Sequence, residues 1–274
     1  MNRLMRLIRR RRASFESPSS GASRHSGHQQ AAAQDAAKGG WLNAATGEIC
    51  PNFPISRSDV VVDVGCGGGS YSHFCASHGA HVTLIDVDAQ ALARASCLLA
   101  TVPEAPHFEA HVTDGKTLPV PNGVADRVIC TEVFEHVDDP VAVARELVRI
   151  GRPGALYMLS CPDPHAEALF KRIAHPSYFE RPNHIRIIGT EEFADLVEGA
   201  GLVIEERLNH NFYSLMHWVL FWACPPLSEA MDHPLLESWA HTWSLLLEQP
   251  QGILVKRALD DLLPKSQVII ARKP

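Results

Sequence analysis

The stretch SDVVVDVGCGGGSYSHFCASHGAHVTLIDVD, residues 58–88, decides the fold class of this chain. Within it, VVVDV is a short β-branched run of the kind that forms a buried parallel strand. Four glycines follow between positions 65 and 69, and SYSHFCASHG then predicts a helix that ends at Gly79. HVTLIDVD predicts a second buried strand that ends in the acid Asp86. A strand, a glycine-rich turn, a helix and another strand together predict the βαβ unit of a doubly wound α/β fold.

The glycine loop discriminates between the ligands that such a unit can bind. A dinucleotide fingerprint would place a third glycine at position 70, which is Ser70, and the Gly-Lys-Ser/Thr ending of a phosphate-binding P-loop is absent. Asp63 stands two residues before the first glycine. A carboxylate there repels a pyrophosphate and suits an ammonium, whereas Asp86 suits the hydroxyls of a ribose. S-adenosylmethionine combines an ammonium with a ribose.

With these residues the chain resembles the class I S-adenosylmethionine-dependent methyltransferases, over about residues 45–207 and the last strand. DVGCGGG is similar to the first motif of that family and LIDVD to its acidic second strand. HVTDGKTLPVPNGVADRVICTEVFEHVDDP is similar to the third and fourth strands, and LVRIGRPGALYMLSCPDP to the fifth. The resemblance implies a Rossmann-like, doubly wound, seven-stranded, mostly parallel sheet, a transferase activity and S-adenosylmethionine as cofactor.

The resemblance also implies which residues contact the methionine and ribose of the cofactor. Asp63, Gly65 and Gly67 would bracket the methionine moiety. Asp86 would hold the ribose hydroxyls, with Val87 beside the adenine. These positions place the cofactor across the carboxyl ends of the first two strands.

The rest of the implied cofactor site follows the third and fourth strands. Asp114 would accept a hydrogen bond from the adenine amino group, with Gly115 alongside, and Thr131 would lie where the sulfonium meets the acceptor. An Asp-Gly pair is also a common turn former, so a turn is the alternative interpretation of Asp114.

The segment TEVFEHVDDP, residues 131–140, carries the candidate catalytic residues Glu132, Glu135 and His136. In a helix their spacing would place all three side chains on one face. Ubiquinone-biosynthesis methyltransferases and small-RNA 2′-O-methyltransferases carry a similar E-x-x-E-H, and the resemblance implies a divalent ion held by these residues, with His184 as a fourth ligand. Such a 2-Glu-2-His set suits Mn²⁺, Fe²⁺ or Zn²⁺ better than Mg²⁺. Metal-free acid–base catalysis by His136 or Glu135, and a structural polar cluster, are the alternatives.

The predicted reaction follows from what this segment can supply. A hydroxyl acceptor has to lose its proton, which requires a base or a metal. We therefore expect O-methylation of a hydroxyl on a small molecule, a glycan or a lipid-linked metabolite. An N- or C-methyltransferase of the same fold, and a catalytically silent cofactor-binding protein that regulates a partner, are the alternatives. A nucleic-acid acceptor fits poorly, because the net charge is −6 and no basic or aromatic RNA-binding platform is visible.

Residues 1–40 differ in composition from the methyltransferase domain expected at 41–274. The first 34 residues contain seven arginines and one acid, and are rich in Ser, Gly and Gln, which predicts a disordered tail. Such a tail is solvated, contacts an anionic membrane surface, or acts as an organellar transit peptide. Seven cysteines without a C-x-x-C pair indicate reduced thiols and a cytoplasmic location unless the tail is a transit peptide.

Beyond the cofactor half, DDPVAVARELVRIGRPG predicts a helix with Asp139 as N-cap, Pro140 at its first position and Gly151 after its end. LVIEERL and SQVIIARKP predict the last two strands, so residues 209–265 form a long helical insertion between them. Four of the five tryptophans lie there, at 218, 222, 239 and 243. The insertion is a lid over the acceptor pocket, a peripheral membrane contact, or a subdomain whose aromatic residues form its core.

Overall fold

The structure is a computed structural model that describes residues 26–103, 108–227 and 230–274. Seven strands in this part of the chain form one sheet in the order β3-β2-β1-β4-β5-β7-β6. They are β1 (Val60–Val64), β2 (His81–Asp86), β3 (Glu109–Val112), β4 (Ala125–Thr131), β5 (Gly151–Pro162), β6 (Val203–His210) and β7 (Ser266–Arg272). β7 is antiparallel to β5 and β6, and the other neighbours pair in parallel. The predicted seven-stranded, mostly parallel sheet is confirmed.

Helices lie on both faces of this sheet. The α-helices of the described ranges are α1 (Ser26–Lys38), α2 (Ser70–Ser77), α3 (Ala89–Leu99), α4 (Pro140–Ile150), α5 (Pro164–Ile173), α6 (Thr190–Gly199), α7 (Phe212–Trp222), α8 (Pro234–Leu247) and α9 (Gly252–Leu262). Short 3₁₀ turns span Phe134–His136, Pro176–Phe179 and Ala230–Asp232. Within the described ranges, none of the helices is both long and apolar enough to cross a membrane.

The helix ends follow from local sequence chemistry. Gly69 adopts φ 86° immediately before α2, a left-handed conformation that a glycine tolerates at low cost. The side chain of Asp88 caps α3 by accepting from the amide of Gln90 at 2.9 Å. Asp139 caps α4 in the same way, and Pro140 is the first residue of that helix. The helix predicted from the Asp-Pro start is therefore confirmed.

Two apolar layers enclose the sheet. One layer joins α4 and α6 to the sheet through residues such as Leu147, Phe193 and Tyr157. The other joins α2 and α3 to it through Phe74 and Leu99. Because both faces are covered, the polar residues that end the parallel strands are confined to the carboxyl edge of the sheet.

The predicted disorder of residues 1–40 is wrong for Ser26–Lys38, which form α1. This segment, SGHQQAAAQDAAK, is rich in alanine, the residue with the highest helix propensity. Ala31 and Asp35, one helical turn apart, are both buried, so α1 has a face packed against the rest of the chain. Ring contacts and hydrogen bonds join it to α7 and α8. The prediction for residues 1–25 lies outside the described residues.

The long segment between β6 and β7 contains α7, α8 and α9. Its tryptophans pack against aromatic neighbours. The ring of Trp239 stacks on Tyr213 at a centroid distance of 5.8 Å, and Trp218 meets Phe221 edge-on at 5.2 Å. Trp243 is almost completely buried. This packing is the arrangement that the subdomain-core interpretation of the insertion describes.

Candidate functional site

The glycine loop is held against the end of β2. The carboxylate of Asp86 accepts from the amide of Gly67 at 2.9 Å and from the amide of Asp88 at 2.8 Å. Gly65 and Gly67 both adopt positive φ, and a Cβ on Gly65 would collide with the side chain of Val133. Only glycine fits this turn, and Asp86 connects the loop to the second strand.

Asp63 does not lie on the surface of the loop. It is buried within β1, and it accepts a hydrogen bond of 2.5 Å from the hydroxyl of Ser72 in α2. Its carboxylate therefore ties the first strand to the helix that follows the loop. A contact between Asp63 and the cofactor ammonium stays a prediction.

Gly115, which directly follows Asp114, lies beside Val87. Val87 is 64% exposed, and a Cβ on Gly115 would stand 3.7 Å from its Cγ1. Asp114 accepts from the amides of Lys116 and Thr117, and these bonds lower the pKa of its carboxyl group. Asp114 thus forms the turn that was the alternative interpretation, and its hydrogen bond to an adenine stays a prediction.

The candidate catalytic segment is not an α-helix. Glu132 adopts φ 55°, and a short 3₁₀ turn spans Phe134–His136. The expectation that Glu132, Glu135 and His136 share one helical face is therefore wrong, because Glu132 is left-handed and lies outside the 3₁₀ turn that contains Glu135 and His136. The carboxylate of Glu132 instead pairs with Lys265 Nζ at 2.6 Å and accepts from Ser160 Oγ at 3.1 Å.

Glu135, His136 and His184 form a separate group. Each offers one ligand atom, and these atoms lie within 4.8 Å of one another. Glu135 is 1% exposed, and His136 Nε2 lies 3.4 Å from one of its carboxylate oxygens. The predicted four-ligand set is corrected to these three residues, because the Glu132 carboxylate is held by Lys265.

A carboxylate lies behind this group. Glu167 accepts at 2.9 Å from both His184 Nδ1 and the hydroxyl of Tyr178. Metal-bound histidines commonly have such a carboxylate on their second ring nitrogen. Two histidines and one carboxylate also suit Mn²⁺, Fe²⁺ or Zn²⁺. The donor set of Glu135, His136 and His184 therefore fits a divalent ion.

A cavity of about 130 Å³ opens at the carboxyl ends of β4 and β5. It includes Thr131 and Glu132 of the predicted site. Its other lining residues are Trp41, Tyr71, Met158, Ser160, His210, Asn211, Lys265, Ser266 and Val268. Glu135, His136 and His184 do not line it. A larger concavity of about 520 Å³, lined by residues such as Glu48, Glu205 and Arg272, contains none of the predicted site residues.

The sequence did not indicate three important residues that line the 130 Å³ cavity, Trp41, His210 and Lys265. The Trp41 and His210 rings stack with centroids 3.9 Å apart. Burial, together with the positive charges of Lys256 and Lys265, holds the pKa of His210 well below its usual range. Their only sequence signals are that Trp41 is the one tryptophan outside the insertion and that Lys265 directly precedes the last strand.

Comparisons with known proteins identify the family of this chain. A family model described as a methyltransferase domain matches residues 62–159. A protein of Thiobacillus denitrificans named ubiquinone biosynthesis O-methyltransferase is 30% identical over 161 residues, which cover 57% of this chain and 69% of the relative. A protein of the same name from Aeromonas salmonicida is 28% identical, with 57% and 67% covered.

Solved structures share the fold. A geranyl diphosphate methyltransferase in complex with S-adenosylmethionine aligns with a TM-score of 0.58 at 16% identity, covering 96% of this chain and 95% of the other. The [4+2]-cyclase SpnF also aligns with a TM-score of 0.58 at 16% identity, covering 99% and 92%. The matching domain, the related sequences and the glycine loop beside Asp86 establish that this chain belongs to the class I S-adenosylmethionine-dependent methyltransferases, with S-adenosylmethionine as its cofactor.

Proposed function

We propose that this methyltransferase transfers the methyl group to a hydroxyl oxygen of a small molecule, and that the acceptor binds in the cavity lined by Glu132 and Lys265. The observation that carries the proposal is the Glu132–Lys265 ion pair inside this cavity, next to Thr131 at the end of β4. The names of the two relatives described above also support oxygen as the methylated atom.

The ion pair supplies what a hydroxyl acceptor needs. As the hydroxyl approaches the sulfonium methyl, Glu132 accepts its proton, and the Lys265 ammonium stabilises the negative charge that develops on the oxygen. Ser160 Oγ holds the other carboxylate oxygen of Glu132, so the base is oriented before the acceptor arrives. Most of the acceleration comes from holding oxygen, methyl carbon and sulfur in line.

A divalent ion, held by Glu135, His136 and His184, would supply positive charge at that group when bound, outside the residues that line the cavity. The chain's own contribution there is orientation. Glu167 fixes the ring of His184 through Nδ1, and Tyr178 fixes Glu167. Exhaustive chelation followed by add-back of Mn²⁺ or Zn²⁺ distinguishes metal-dependent catalysis from metal-free proton removal by Glu132. An enzyme that relies on Glu132 alone stays active in chelator.

The proposal is tested by finding which atom receives the methyl group. S-adenosylmethionine with a ¹³C-labelled methyl is incubated with catechol, a glycan, a lipid-linked phenol and aniline, and the products are identified by mass spectrometry and NMR. We expect label on oxygen and loss of turnover in Glu132→Gln, with the exposed Glu180→Gln as control. Label on nitrogen or carbon would contradict the proposal. Tight cofactor binding without any product would support a silent cofactor-binding protein instead.

A further inference from the structure

Lys256 of α9 is a fully buried ammonium at the junction of three helices. Its Nζ lies 2.9 Å from a carboxylate oxygen of Asp35 in α1 and 2.7 Å from Asp260 in α9. Asp35 also accepts from the indole N–H of Trp243 in α8 at 2.8 Å. A charge in such a position is costly unless it is paired, and here two buried carboxylates pair it. We call Lys256, Asp35 and Asp260 the junction cluster.

Asp260 of the junction cluster is connected to the cavity through the first residue of α7. Asp260 Oδ1 accepts from the backbone amide of Phe212 at 2.8 Å. Phe212 directly follows Asn211, which lines the cavity and adopts φ 78°. A non-glycine residue in this left-handed region persists when its surroundings hold it there. Asp260 is one of the groups that do so.

Lys256 of the junction cluster is connected to the cavity through the turn that follows α1. Helix α1 ends at Lys38, and a Gly-Gly turn leads to Trp41, whose amide donates to Ala36 at 2.8 Å. A Cβ on Gly39 would lie 3.1 Å from Lys256 Cε and 3.2 Å from Trp41 Cδ1. The aliphatic stem of Lys256 and the Trp41 ring therefore pack against the same turn.

Both connections end on the same wall of the cavity. Trp41, His210 and Asn211 line it, and the Trp41 ring stacks on His210. Desolvation offsets much of the attraction within a buried ion cluster, so the junction cluster is weak evidence for stability, whereas its contacts with α1, α7 and α8 fix a geometry. Geometry is what methyl transfer requires, because a misplacement of the acceptor by about 1 Å can cost about a hundredfold in rate.

We propose that Lys256 is a positioning residue, which together with Asp35 and Asp260 holds Trp41 and Asn211 at the wall of the acceptor cavity and makes helix α1 part of the catalytic assembly. The assignment of this cavity to the acceptor rests on the proposed function. The mechanical link from Lys256 to Trp41 and Asn211 does not, so the two can fail separately.

The test compares Lys256→Met with Arg257→Met, the exposed neighbouring position on α9. Hydrogen exchange is measured at the amides of Trp41 and Phe212, and the affinity for S-adenosylhomocysteine is measured by calorimetry. The acceptor kcat and KM are measured with whichever of catechol, the glycan, the lipid-linked phenol and aniline the wild type methylates. If Lys256→Met leaves two unneutralised carboxylates and does not fold, Asp35→Asn/Lys256→Gln replaces it, because this pair of changes removes one carboxylate together with the ammonium.

We expect at least tenfold faster exchange at both amides and a tenfold or larger fall in acceptor kcat/KM, with cofactor affinity within twofold of the wild type. Exchange and kinetics equal to those of Arg257→Met would overturn the proposal. A cofactor affinity that falls in parallel with kcat/KM would also overturn it, since the junction cluster would then only support the whole fold. If the wild type methylates none of the acceptors, the proposed function fails, and the exchange at Trp41 and Phe212 still decides the positioning role.

Discussion

Glu132 shows at the scale of one residue how the site is built. Its φ of 55° is uncommon for a residue with a side chain and persists because its surroundings hold it. Its amide donates to the carbonyl of Ser160 at 3.0 Å, and its carboxylate is held by Lys265. Glu132 lines the cavity, whereas Glu135 and His136, in the 3₁₀ turn that follows, belong to the other group.

Asp86→Asn is expected to weaken S-adenosylmethionine binding about tenfold or more. A charged hydrogen bond is worth about 1.5–3 kcal/mol, and the ribose diol would lose one such partner. Asparagine keeps an oxygen that can accept from Gly67 or Asp88, so the loop should stay folded. Calorimetric titration measures the effect, with circular dichroism as a check on folding. A dissociation constant equal to that of the wild type would remove Asp86 from the ribose site.

His217 predicts a loss of stability in mild acid. Burial, together with the charge of His28, lowers the pKa of His217 from about 6.5 to about 2. Below pH 6.5 the unfolded state therefore binds a proton at His217, whereas the folded state keeps His217 neutral. The free energy of unfolding is therefore highest above pH 6.5 and decreases as the pH falls. This group should cost about 2 kcal/mol of unfolding free energy between pH 6.5 and 5. Urea unfolding of the wild type and of His217→Phe measures it, and parallel pH curves for the two proteins would contradict the assignment.

At the scale of elements, α1 is expected to be necessary for stability. A chain shortened by residues 1–38 loses Asp35 and leaves Lys256 with one carboxylate, and an imbalance of this kind costs about 3–5 kcal/mol. A chain shortened by residues 1–25 keeps α1 and serves as the control. Removal of residues 1–34, the segment whose composition predicts a disordered tail, would cut through α1. Equal denaturation midpoints for the two shortened chains would show that α1 contributes nothing.

Two tryptophans of the insertion are expected to contribute differently to the free energy of unfolding. Trp243 is almost completely buried and stacks on Tyr213, so Trp243→Ala should lower the unfolding free energy by about 3–5 kcal/mol. Trp218 is only half-buried, so Trp218→Ala should cost less. Denaturant unfolding compares them. A larger loss for Trp218→Ala would contradict this ranking, and a raised acceptor KM with unchanged stability would favour the lid interpretation.

The cofactor half could be predicted from the sequence because its signals are local. The glycines after β1 and Asp86 at the end of β2 occupy one short stretch, and parallel strands bring their carboxyl ends to one edge. The Glu132–Lys265 pair joins residues 133 positions apart, and only the placement of β7 between β5 and β6 brings them together. The positive φ at Glu132 and the packing of Asp35 against Lys256 depend on tertiary contacts in the same way.

At the scale of the whole molecule, different strands at the carboxyl edge of the sheet carry the residues expected to bind the cofactor and those proposed to bind the acceptor. β1 and β2 end in the glycine loop and Asp86, where we expect the cofactor to bind. Glu132, Ser160 and Lys265, at the ends of β4 and β5 and before β7, line the cavity where we propose that the acceptor binds. Helix α1 and the helices between β6 and β7 meet at Lys256, and Trp41 and Asn211, which follow α1 and precede α7, line the same cavity. The central claim is that proton removal and methyl transfer take place at the Glu132–Lys265 pair.

The most direct test of this claim is the turnover of Glu132→Gln on an acceptor that the wild type methylates, with S-adenosylhomocysteine affinity measured on the same preparation. General-base catalysis contributes about 10²–10⁴-fold, so kcat should fall by about that factor while cofactor affinity stays within twofold of the wild type. Lys265→Met should follow the same pattern. Wild-type turnover in Glu132→Gln, together with loss of turnover in Glu135→Gln, would contradict the claim and move the chemistry to Glu135, His136 and His184.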